Sequence, residues 1–94
     1  MVTAFVLLEV APDRIPETAA EAATVAGVRE VHSVTGDVDL IAVVQVGAHD
    51  ELAEVITNHL SKVPGVRGTR TYLAFRQYSG TELETAFDLG LDGD

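Results

Sequence analysis

The sequence predicts an α+β sandwich, four strands and two helices in the order βαββαβ, and three observations carry that reading. Two stretches, Val2 to Val10 and Val38 to Val46, are apolar at most positions, the pattern of strands buried on both faces. Two intervening segments place small or aliphatic residues at helical spacing. A short echo, Ala26-Gly27-Val28-Arg29 against Pro64-Gly65-Val66-Arg67, follows each helical segment and opens a strand, so the chain divides into two β-α-β halves.

In the first strand Val2, Ala4, Val6, Leu8 and Val10 share one face, and Thr3, Phe5, Leu7 and Glu9 share the other. Both faces are largely apolar, which predicts a central strand covered by helices on one side and by another subunit on the other. Ala11-Pro12-Asp13 breaks the strand, and Asp13 is the expected cap of a helix from about Arg14 to Ala26, whose first turn tolerates Pro16. Its contact stripe is Ile15, Ala19, Ala22, Ala23 and Ala26. Gly27 ends this helix, and Val28 to Thr35 reads as the second strand. A two-residue Gly36-Asp37 turn of the type II′ kind, which needs positive φ at its first position, leads into the third strand, Val38 to Val46.

Asp50 is expected to open the second helix, with Glu51 and Glu54 near its positive end and Leu52, Val55, Ile56, His59, Leu60 and Val63 inward. Pro64-Gly65 stops it. Val66 to Tyr78 then alternates as a final strand longer than a small sheet requires, which points again to a subunit contact. Right-handed crossovers in both halves give the ferredoxin-like arrangement: an antiparallel sheet with strands 1 and 3 central, 2 and 4 at the edges, and two helices on one face.

The chain has 94 residues, 15 acidic and 6 basic, for a net charge of -9, with no cysteine and no tryptophan. A single domain this small hides only about two-thirds of its unfolded surface, so oligomerisation is expected. The acidic balance argues against direct nucleic-acid binding and against anionic membranes. Without cysteine there are no disulfides, thiolate nucleophiles or cysteine-ligated zinc. No apolar run reaches the roughly 20 residues of a membrane span, and the N-terminal stretch, interrupted by Glu9, lacks a basic leader. A cytoplasmic protein is expected.

Few residues suggest chemistry. His32, His49 and His59 fall on three separate elements without ligand spacing, so no metal site is expected. Ser33, Ser61 and Ser79 lie in no nucleophile-elbow turn, and the glycines punctuate turns one at a time instead of forming a phosphate loop. Asp37 and Asp39 are a carboxylate pair, but a glycosidase would also need a cleft that so short a chain rarely supplies. No enzyme activity and no cofactor are expected. Thr35-Gly36-Asp37-Val38-Asp39 does suit a small zwitterion, because a glycine turn offers N–H groups to a carboxylate and an aspartate accepts an ammonium. On the sequence alone the simpler reading is favoured, an ordinary turn at Asp37 followed by a strand that Asp39 starts with a local hydrogen bond.

Val34-Thr35-Gly36-Asp37-Val38-Asp39-Leu40, followed by Lys62-Val63-Pro64-Gly65-Val66-Arg67-Gly68-Thr69-Arg70-Thr71-Tyr72, resembles the effector domain of the Lrp/AsnC transcription regulators, the regulation-of-amino-acid-metabolism module. The resemblance spans residues 2 to 78. It implies the same split β-α-β fold, homodimers formed through the sheets, higher ring oligomers, and amino acids bound at contacts between dimers. It assigns the ligand neighbourhood to Gly36, Asp37, Val38 and Asp39 in the hairpin and to Thr71, Tyr72 and Ala74 in strand 4. Many relatives carry an aromatic residue where Val38 stands. Family members also carry an N-terminal helix-turn-helix domain, whereas this sequence opens on the first effector-domain strand, so a stand-alone effector domain is expected, with full-length regulators as possible partners.

Residues 79 to 94 form an acidic C-terminal extension with five acidic and no basic residues. Thr81-Glu82-Leu83-Glu84 fits a capping box, which predicts either a short helix docked on the domain or a disordered tail. The expected function is an amino-acid-binding oligomerisation module. Two alternatives are a small dimeric ferredoxin-like enzyme of the monooxygenase type, which requires a polar enclosed cavity, and a ligand-free structural assembly subunit.

Overall fold

A computed structural model describes residues 1 to 80, so the expected C-terminal helix or tail lies outside the described residues. The order is β1 (Val2–Val10), α1 (Ile15–Ala22), β2 (Val28–Ser33), β3 (Leu40–Val46), α2 (His49–Asn58) and β4 (Val66–Leu73), with 3-10 turns at Pro12–Arg14 and Leu60–Lys62. The sheet order is β2-β3-β1-β4, with every neighbouring pair antiparallel. This is the expected ferredoxin-like sandwich, and the two most apolar strands are its centre.

The alternation of β1 and β3 builds the core. Ala4, Val6, Leu8 and Val10 face the helices together with Leu40, Ala42, Val44 and Val46, and all eight are buried. Ala22, Leu52, Val55 and Leu60 close this layer from the helix side. The opposite face bears Phe5, Leu7, Ile41 and Val43 and is covered by no element among the described residues; Phe5 is 40% exposed.

The sequence echo proves to be a structural repeat. Gly27 and Gly65 have φ of 97° and 98°, and each carbonyl accepts an amide across the sheet, Gln45 N at 2.8 Å and Ala11 N at 2.9 Å. Each is followed by a register shift that leaves one arginine unpaired, Arg29 against β3 and Arg67 against β1. Gly65 is the tighter position, because a Cβ there would stand 2.3 Å from Thr18 Oγ1. Thr18, only 1% exposed, spends its hydroxyl on the Pro64 carbonyl at 2.8 Å. That bond fixes α1 to the turn before β4.

Several expected boundaries shift, each for a local reason. Asp13 caps nothing: the chain first makes a 3-10 turn, and Arg14, at the N-cap, supplies no side-chain bond. Helix α1 ends at Ala22, four residues before Ala26, because Thr24 and Val25 donate to Glu21 and Ala22 in 3-10 fashion and the Thr24 hydroxyl also bonds the Glu21 carbonyl. Ala23 is therefore exposed instead of lining the stripe, and Ala26 lies beyond the helix, exposed as well. Helix α2 starts at His49, not Asp50, and His59 is exposed beside Glu54 instead of facing inward. Strand β4 stops at Leu73, not Tyr78. Its partner among the described residues is β1, and once Ala74 N has bonded Thr3 O at 2.8 Å that partner is nearly exhausted.

Candidate functional site

The loop between β2 and β3 is wider than the two-residue turn expected. Val34 N bonds Asp39 O at 3.0 Å, so four residues, Thr35 to Val38, span the connection. Gly36, with φ of 128°, takes the one backbone conformation in the loop that a side chain disfavours. The two strands accordingly end earlier and begin later than the sequence suggests, at Ser33 and Leu40.

The two aspartates, equivalent in the sequence, are divided by the structure. Asp39 Oδ2 accepts the Val10 N–H at 2.8 Å, and Asp39 N donates to Leu8 O at 3.1 Å. Asp39 thus ties the loop to the end of β1. Val38 is buried, 6% exposed. Asp37 points outward with its side chain 83% exposed, and its Oδ2 meets Arg70 Nη2 at 3.1 Å. The guanidinium, chiefly through this hydrogen bond, holds the Asp37 carboxyl below its ordinary value, and the carboxylate raises Arg70 in return.

The strand-4 residues spread away from that loop along β1, Ala74 farthest. Thr71 pairs with Val6 and Tyr72 with Phe5, which puts them on opposite faces of the sheet, and Ala74 lies beside Thr3. From Leu8, where the loop is fastened, to Thr3 is five residues of strand, about 17 Å at the rise of an antiparallel strand. Tyr72 is 56% exposed beside Phe5. Ala74 borders a surface groove of about 530 Å³ whose floor is Thr3, Phe5, Val43 and Gln45. The hollow of about 590 Å³ between α2 and Gly27 is lined by Asp50, Glu51 and Glu54, and holds none of the expected site residues.

Arg70 is the residue that sequence reasoning missed. It is separated from Asp37 by 33 positions, and only the register of β4 on β1, with Arg70 opposite Leu7, brings it to the loop. The available signal was the alternation of β4, which puts Arg70 and Tyr72 on one face. Among the described residues no group of three potential metal ligands converges, and no helix is long and apolar enough to cross a membrane.

A ferredoxin-like sandwich with one open sheet face and an acidic loop at one end of its central strands defines the class. The model of the Lrp/AsnC ligand binding domain matches residues 3–83, and the chain belongs to that family. It is 34% identical over 76 residues to an uncharacterized HTH-type transcriptional regulator of Pyrococcus horikoshii, covering 78% of this chain and 51% of that protein. The chain thus spans about half the length of the curated relatives it matches. Among solved structures, TTHA0845 from Thermus thermophilus is 40% identical with a TM-score of 0.79, and the match covers 84% of this chain and 99% of that one. A feast or famine regulatory protein from M. tuberculosis, complexed with L-methionine, shares the fold at 24% identity and a TM-score of 0.68, over 85% of this chain and 54% of that one.

Proposed function

We propose that this chain is an amino-acid-binding oligomerisation module that acts in the cytoplasm: two copies pair through the open sheet face, and dimers meet in higher rings to enclose the ligand. The observation that carries this reading is the separation of the site. Gly36 to Asp39 sit at one end of β1, Thr71 and Tyr72 pair near its middle with Val6 and Phe5, and Ala74 lies at the other end beside Thr3. A contact between copies is the simplest way to bring the loop and Ala74 to one ligand. The methionine held by the M. tuberculosis relative supports an amino acid as the ligand class.

The open face supports the pairing. Phe5, Leu7, Ile41 and Val43 form an apolar centre, with Tyr72 beside Phe5 at the β4 edge. Such a patch on so small a domain gains stability when a second sheet removes it from water. A non-enzymatic role is supported by the interior, where sheet and helices meet in aliphatic side chains and Thr18, the one buried polar residue among those described, is already bonded.

The mechanism is linkage. A ligand held by two dimers at once favours the larger assembly by the ratio of its affinities for the two states. The same coupling extends to any full-length regulator of the family that shares the ring. A thermal-shift screen of the full chain against each of the twenty amino acids tests the reading. Saturable stabilisation by one or a few is expected, and none at millimolar concentration would overturn it.

A further inference from the structure

We propose that the acidic C-terminal segment, residues 81 to 94, docks in the groove between Phe5 and Tyr78 of its own chain, where it competes with a second copy for the sheet face. The competition, though not the docking, rests on the reading that two copies pair through that face.

The large apolar side chains that remain exposed among the described residues are Met1, Phe5, Tyr72, Leu73, Phe75 and Tyr78, and all lie in or beside the half of the sheet nearer Thr3. Phe75 is 98% and Tyr78 72% exposed, although both wall the groove of about 530 Å³ that has Phe5 and Val43 on its floor. An apolar patch of this kind marks a contact.

Charge selects the occupant. Two hollows open side by side at this end and share Met1 and Gln45. One is lined by Asp50, Glu51 and Glu54 and by no lysine or arginine, whereas the groove is lined by Arg76 and by no carboxylate. Arg76 enters none of the ion pairs among the described residues. Residues 81 to 94 carry Glu82, Glu84, Asp88, Asp92 and Asp94 and no basic residue, so the first hollow repels them and the groove attracts them. The segment also has an apolar stripe for the groove floor, Leu83, Ala86 and Phe87 at helical spacing, with Glu84 and Asp88 beside it.

Reach makes the chain its own occupant. Gly80, the last described residue, is helical and stands two positions past Tyr78, a wall of the groove. Leu83 follows within about 10 Å of chain even when fully extended. A tether this short gives the segment an effective concentration of about millimolar, above that of a free second copy in dilute solution. A short helix gains its stability from packing an apolar face, and the groove offers that packing. Phe5 and Val43 are also the centre of the proposed pairing face, so a copy must release its segment in order to pair. A segment docked about nine-tenths of the time weakens pairing about tenfold for each copy and about 100-fold for the dimer.

Two measurements on the full chain test this. The chain has no cysteine, so Thr85→Cys, off the apolar stripe, carries a single nitroxide. The amides of Thr3, Phe5, Val43 and Gln45 should broaden within the labelled chain, more than those of Asp50 to Glu54. They should not broaden in isotope-labelled chains mixed with separate nitroxide-bearing chains. Leu83→Ser with Phe87→Ser should abolish the broadening, and Arg76→Gln should weaken docking about two- to fivefold, as for an exposed ion pair. In sedimentation equilibrium the double serine variant should dimerise about tenfold or more tightly than wild type, whereas Leu89→Ser, off the stripe, should match it. No broadening, broadening centred on Asp50 to Glu54, or equal broadening in the mixed sample would overturn the docking. A dimer that the double variant weakens or leaves unchanged would overturn the competition. Broadening in a chain that never pairs would overturn the pairing reading and leave the docking in place.

Discussion

Asp39 accepts the backbone N–H of Val10 through Oδ2 at 2.8 Å, so a side chain from the β2–β3 loop completes the hydrogen bonding of the last residue of β1. The bond makes the loop part of the sheet. Replacing Asp39 by alanine leaves the Val10 amide without its acceptor and should cost about 1–2 kcal/mol. Asp39→Asn, which keeps an acceptor oxygen, should cost less than half as much. Urea denaturation at fixed protein concentration measures both, and equal losses would contradict the assignment.

Gly65 and Gly36 separate two costs of adding a methyl group. At Gly65 the Cβ would lie 2.3 Å from Thr18 Oγ1 at a φ of 98°, whereas at Gly36 nothing lies within 4 Å and only the φ of 128° is strained. Gly65→Ala should destabilise by about 3 kcal/mol or more and Gly36→Ala by about 1 kcal/mol. Adding Thr18→Ala to Gly65→Ala should restore part of the loss, since the two sites share one contact. Strict additivity in thermal melts would show that the clash is relieved elsewhere.

The same two glycines show how much of the fold is legible in the sequence. Both read as chain breaks, and the strand order follows from how apolar β1 and β3 are, since burial on both faces leaves a mark in every residue. Helix ends leave a fainter mark: Ala23 and Ala26 suit a helix, but the β-branched Thr24 and Val25 do not, and the Thr24 hydroxyl bonded to Glu21 and the turn at Gly27 end it sooner. The extent of β4 is overestimated because alternation continues to Tyr78, while hydrogen bonding depends on a partner that ends near Thr3. The loop aspartates are visible, but their different tasks depend on the distance to Val10 and Arg70, which no local pattern encodes. The contact of Arg70 with Asp37 spans 33 positions, and only the alternation of β4, which puts Arg70 on the face of Tyr72, hints at its placement.

Acid and salt should act on the Arg70–Asp37 pair in a defined direction. Arg70 lowers the Asp37 carboxyl below its ordinary 3.8, so the folded chain binds fewer protons there than the unfolded one. The stabilisation is then present above the ordinary value and is lost as pH falls through the lowered one. The Tm difference between wild type and Asp37→Asn should be constant from about pH 5 to 8 and vanish in stronger acid. It should also shrink as salt is raised, because both groups are exposed. A difference that grows on acidification would contradict the pairing.

The open sheet face makes a prediction of its own. Phe5 and Val43 are cross-strand partners on that face. Phe5→Glu or Val43→Glu would bring a charge into the proposed sheet-to-sheet contact and should weaken the dimer by about 100-fold or more, with little change in the fold of the monomer. Sedimentation equilibrium gives the dissociation constant, and circular dichroism checks the fold. Dimers of unchanged strength would move the contact elsewhere.

Sedimentation velocity of the full chain, with and without each amino acid, tests the central claim most directly. Dimers should shift to a larger discrete assembly in the presence of a binding amino acid and return to dimers when it is removed. A monomer whose sedimentation is indifferent to all twenty would contradict the account.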